Sequence, residues 1–102
     1  MFDKLNAVED RYDELMRRIS DLSGESDPAE YRKHAKALAD IEPIVEKVRK
    51  YKGVLTEIGQ AQELVDTGEG EMRDLAAQEL RLLRSSQETL LADIKALLVP
   101  KD

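Results

Sequence analysis

Residues 2–22 read FDKLNAVEDRYDELMRRISDL, and their apolar positions decide the fold class. Leu5, Val8, Tyr12, Leu15, Ile19 and Leu22 follow one another at spacings of 3, 4, 3, 4 and 3. An α-helix turns once in about 3.6 residues, so this spacing lays all six on one stripe of a helix. Asp3, Glu9, Asp10, Arg11, Asp13, Glu14, Arg17 and Arg18 supply the polar faces. Ser23-Gly24 follows as a stop, because glycine readily takes the left-handed conformation after a helix C-terminus.

The next segment announces itself at Asp27-Pro28-Ala29-Glu30. Asp27 is a capping acid, Pro28 suits the first helical position, and Glu30 can reach back to the cap. The apolar face of the second helix runs through Tyr31, Ala35, Leu38, Ile41, Val45, Val48, Leu55, Ile58 and Val65. Pro43 lies inside this run, lacks an amide donor, and crowds the carbonyl of Ala39. The stripe keeps phase across it, which predicts a kink; a break at Glu42 into two helices is the competing outcome. Gly53 and Gly59 weaken the distal half by about 1 kcal/mol each relative to alanine.

Asp66-Thr67-Gly68-Glu69-Gly70 reads as the second turn. A third helix follows from about residue 71 to 98, with Met72, Ala76, Leu80, Leu83, Leu90, Ile94 and Leu97 on its stripe and Gln87 as a polar interruption. Val99-Pro100 closes it, since a residue before proline avoids the helical region. The predicted fold is all-α, a single helical domain over 1–102 with helices at about 2–22, 28–66 and 71–98. Short turns make the three helices antiparallel. The first, shorter helix lies on a long, coiled-coil-like hairpin of the other two. It covers the first half of helix two and the second half of helix three. The far end of that hairpin is left with Val54, Leu55, Ile58, Leu64, Met72 and Leu75 at risk of exposure, which would suit docking or weak self-association. A hairpin with mostly two-sided burial is the other reading.

Composition narrows the function. The chain has 102 residues, 37% of them charged, no cysteine and no tryptophan. Disulfides, thiolate metal sites and a thiol nucleophile are excluded. The N-terminus lacks a signal or transit pattern, and no apolar run approaches a membrane span, so a cytoplasmic protein without a membrane role is expected. The net charge of −6 repels phosphate at long range, which argues against strong binding of free nucleic acid.

No constellation for chemistry is visible, and no cofactor is implied. His34 is the single histidine and reads as a solvated side chain on a charged helix. The pairs Glu63/Asp66 and Asp10/Glu14 read as solvated faces, because no Glu-x-x-His pair completes a helical di-metal site. Gly68-Glu69-Gly70 has no following Lys-Ser/Thr and joins two helices, so it is no phosphate loop. Basic residues gather modestly: Lys47, Arg49, Lys50 and Lys52 in helix two, Arg17 and Arg18 near the end of helix one, and Arg81 and Arg84 on helix three. Interspersed surface charge with partners such as Glu46 for Lys50 competes with a local RNA contact. The candidate interaction surface is therefore Arg17, Arg18, Lys47, Arg49, Lys50 and Lys52, with Leu55 and Ile58 beside them.

The order of short features carries a resemblance. They are Met1-Phe2-Asp3-Lys4-Leu5, Ser26-Asp27-Pro28 with Tyr31, and Ile41-Glu42-Pro43-Ile44-Val45-Glu46. Tyr51-Lys52, Glu71-Met72-Arg73-Asp74-Leu75-Ala76 and Leu97-Leu98-Val99-Pro100-Lys101-Asp102 complete the set. Together they resemble the N-terminal domain of the bacterial peptide chain release factor 1 family of class I release factors. The opening and the Pro43 segment are closer to that family than to release factor 2. Thr67-Gly68-Glu69-Gly70 departs from the more acidic or Asp-Pro turn the family leads one to expect. The resemblance implies a part in translation termination at UAA and UAG. The family's Gly-Gly-Gln hydrolysis motif and Pro-x-Thr codon-reading tripeptide do not occur in this sequence. What it implies is a non-catalytic first domain. Its expected partners are the ribosome, at the stalk base and GTPase-associated region of the large subunit, and the class II release factor GTPase.

Overall fold

The computed structural model describes residues 2–22 and 27–100. The described residues form three helices: α1 (Phe2–Leu22), α2 (Pro28–Thr67) and α3 (Gly70–Leu98). The all-α class is the one the stripes predict. The Ser23-Gly24 stop lies outside the described residues.

α2 starts where the capping acid places it. Asp27 Oδ1 accepts from the backbone N–H groups of Ala29 at 3.1 Å and Glu30 at 3.2 Å. These are two of the orphan donors that every helix N-terminus carries. Glu30 is turned forward instead of back to the cap, with Oε1 3.1 Å from Nε2 of His34. α2 then continues for 40 residues through Pro43, so the proline does not divide it. Pro43 is exposed, while Val45 and Val48 just beyond it are buried. The apolar face thus holds the helix together across a missing hydrogen bond.

The chain forms two compact units, one reaching to Val48 and one starting at Arg49. The first contains α1 and the opening half of α2. Its buried residues are Leu5, Leu15, His34, Val45 and Val48. His34 corrects the sequence reading: it is 7% exposed, not solvated. It lies on a stripe with Leu38, Ile41, Val45 and Val48 at spacings of 4, 3, 4 and 3. Tyr31, expected on that stripe, is exposed.

The second unit is a helical hairpin. Ala61 of α2 forms a buried cluster with Leu80 and Leu83 of α3, and Val54, Ile58 and Val65 pack against it. Tyr51, Ala76 and Ile94 are also buried. A polar chain crosses the hairpin beside this core: Arg84 Nη2 donates to Gln62 Oε1 at 3.1 Å, and Gln62 Nε2 donates to Asp66 Oδ1 at 2.9 Å. The turn is made by Gly68, Glu69 and Gly70. Gly68 N donates to Leu64 O at 2.8 Å, and a Cβ on Gly68 would collide with that same carbonyl oxygen. Gly70 has φ of +58°, a left-handed conformation that costs glycine nothing. Glu71 in the first turn of α3 and Lys95 in the last both complement the helix dipole.

Candidate interaction surface

The first unit holds Arg17, Arg18 and Lys47 of the candidate residues. Arg17 and Arg18 are exposed on the last turns of α1, and both are engaged by Glu14. Arg18 Nε donates to Glu14 Oε1 at 2.8 Å, and the Arg17 guanidinium bonds to Oε2. The hydrogen bond from Arg18, and then that from Arg17, holds the Glu14 carboxyl below its ordinary range. The two arginines therefore present a partly neutralised patch. Lys47 is half-buried and already has interactions within the molecule.

In the second unit, Arg49 and Lys50 are exposed and Lys52 is half-buried. Arg49 and Lys52, three residues apart, share a helix face, whereas Lys50 is rotated about 100° from Arg49. Arg49 and Lys52 have interactions of their own. Leu55 is half-buried, and Ile58 packs on the Ala61–Leu80–Leu83 cluster. Ile58, itself partly buried, thus spends part of its surface on the hairpin's own core. Apolar side chains that do stand in solvent in this unit include Leu64 near the turn and Met72, Leu75 and Leu82 of α3. Met72 and Leu97, expected on the α3 stripe, are exposed at its two ends.

A feature that the sequence reading missed lies on one side of the hairpin. Glu57, Gln60, Ala61 and Leu64 of α2 face Ala76, Glu79 and Leu83 of α3 across a groove of about 440 Å³. The signal was present in the spacing 57, 60, 61, 64, one helical face carrying an acid, an amide and two apolar groups. Among the described residues no group of three His, Cys, Asp or Glu side chains is placed to hold a metal ion. His34 has one carboxylate neighbour and is buried, so it meets no open site. Among the described residues no helix is long and apolar enough to cross a membrane.

The described residues thus define an all-α module whose helices each bury an apolar face. Comparison with known proteins makes the assignment narrower. The PCRF domain family matches residues 8–102, and the chain belongs to it. All of the chain aligns with proteins called Peptide chain release factor 1. It is 39% identical to that of Caldicellulosiruptor bescii, 41% to that of Carboxydothermus hydrogenoformans and 47% to that of Thermoanaerobacter pseudethanolicus. In each case the chain spans about 29% of the relative's length. No solved structure matches it.

Proposed function

We propose that this chain is the first domain of a class I release factor and that its role there is docking, not chemistry. The observation that carries the reading is alignment along the full chain with proteins named Peptide chain release factor 1. The factor would act in the cytoplasm, ending translation at UAA and UAG. Codon reading and peptidyl-tRNA hydrolysis would belong to the parts of the factor beyond the 29% matched here. The domain would reach the stalk base and GTPase-associated region of the large ribosomal subunit, with the class II release factor GTPase as a second contact. Arg17, Arg18 and Lys47 in one unit, and Arg49, Lys50 and Lys52 in the other, are the cations offered to that surface, with Leu55 as an apolar neighbour. The net charge of −6 fits contacts made only when the rest of an assembly holds the domain in place.

The test is a reconstituted termination assay. The chain alone should release no peptide from a ribosome stalled at UAA or UAG. Removing the same segment from a full-length relative should slow release by weakening ribosome binding. Stop-codon-dependent release by the 102-residue chain would reject the reading.

A second reading, self-association through the hairpin, is favoured by the exposure of Leu64, Met72, Leu75 and Leu82. Sedimentation equilibrium at micromolar concentration decides it: a clean monomer removes this reading, and a dimer sensitive to Leu75→Glu supports it.

A further inference from the structure

The groove on the hairpin has a definite chemical character. Its floor contains Ala61 and Ala76, both 6% exposed, whose small side chains let another chain approach the two helix backbones closely. Leu64, 46% exposed, and Leu83 supply apolar wall. The only charged residues in the lining are Glu57 on α2 and Glu79 on α3, and both are exposed. The acids therefore stand on opposite walls, one on each helix, in the same lining as the apolar residues.

These features select among occupants. A nucleic acid would meet two carboxylates on a surface of net charge −6. A second copy seated by two-fold symmetry would bring its own Glu57 and Glu79 against the first pair. A single added helix lying between two antiparallel helices is an ordinary bundle arrangement, and basic residues flanking an apolar stripe on such a helix would match the two acids. We propose that this groove receives a cationic amphipathic helix of a partner protein, with an apolar residue on Ala61 and Leu64 and flanking Lys or Arg side chains on Glu57 and Glu79. The inference stands apart from the ribosomal reading, since it rests on the groove alone.

The test uses the isotope-labelled chain and a synthetic helical peptide carrying leucines on one face and two lysines flanking them. Amide shift changes should concentrate at 57–64 and 76–83. The E57K/E79K variant should bind this peptide roughly tenfold more weakly and bind better to a version with glutamates in place of the two lysines. Leu64→Ala, an exposed truncation that leaves both charges in place, should weaken binding as well. Shift changes mapping elsewhere, or equal binding of the lysine and glutamate peptides to the unaltered chain, would overturn the proposal. So would groove resonances that move with protein concentration alone, which would make the occupant a second copy.

Discussion

Alanine placed at three glycines should change stability in opposite directions, because the surroundings differ while the chemistry is the same. Gly53 and Gly59 are interior residues of α2, and a Cβ built on either meets nothing within 4 Å. Alanine there reduces the freedom of the unfolded chain without a clash, a gain of about 1 kcal/mol each. The sites are six residues apart, roughly 9 Å along the helix, so the gains should add to about 2 kcal/mol. For a domain of this size the melting temperature should rise by roughly 4–8 °C per kcal/mol. At Gly68 the added methyl collides with the Leu64 carbonyl oxygen, the same atom that accepts from Gly68 N. Relieving the collision shifts the turn and weakens that bond, for a loss of about 2 kcal/mol. Urea unfolding followed by far-UV circular dichroism measures all three, with slopes unchanged if the unfolded state is unaltered. Wild-type stability in Gly68→Ala, or a destabilised Gly59→Ala, would refute the reasoning.

Other expectations follow from burial, capping and charge. Ile94→Ala removes a side chain that is 0% exposed and should cost about 2–5 kcal/mol, whereas Leu82→Ala, at 67% exposed, should stay within about 0.5 kcal/mol in the same melts. Asp27→Ala leaves the amides of Ala29 and Glu30 without their acceptor and should cost about 1 kcal/mol, while Asp27→Asn should retain most of it. Glu14 should titrate below its ordinary value of 4.5 in a carboxyl NMR titration, and Arg18→Ala should return it upward more than Arg17→Ala. Because its folded value is depressed, the contribution of Glu14 to stability is present above that ordinary value and fades as pH falls through the lowered one. On a half-buried surface carboxylate the effect should also weaken at high salt.

The α1 stripe was legible because period alone specifies it. Leu5 and Leu15 are buried and Val8, Tyr12, Ile19 and Leu22 half-buried, while Met16, off the stripe, is 45% exposed. The capping acid at Asp27 was legible for a local reason too, since its partners are the next few amides in the chain. His34 was misread because a polar residue type outweighed its position. Its spacing to Leu38, Ile41 and Val45 placed it on the apolar face, and its ring is buried there beside Glu30. Tyr51 and Ala61 also lie outside the predicted stripe, although both are buried in the hairpin unit. Pro43 left two outcomes open because local preference and tertiary packing disagree there, and only the buried valines beyond it decide for a continuous helix. Of the candidate site, the cations were readable as residue types. The engagement of Arg17 and Arg18 by Glu14, and the groove between Glu57 and Glu79, depend on rotamers and on how two helices face one another. Spacing marks the α2 face at 57, 60, 61 and 64 and puts Glu14 within reach of both arginines, but it does not say which α3 residues lie opposite or which rotamers close the pairs.

The tight Gly68–Gly70 turn also sets an order of assembly. Contacts across the hairpin lengthen in sequence with distance from it: Ala61 and Leu80 are 19 positions apart by their numbering, and Gln62 and Arg84 are 22 apart. The entropy of closing a loop grows with its length, so the pairs nearest the turn are the least costly to form, and each formed pair shortens the loop left for the next. Such a hairpin closes like a zip from its glycine end. Substitutions near Ala61 should then slow folding, and those far from the turn should mainly speed unfolding.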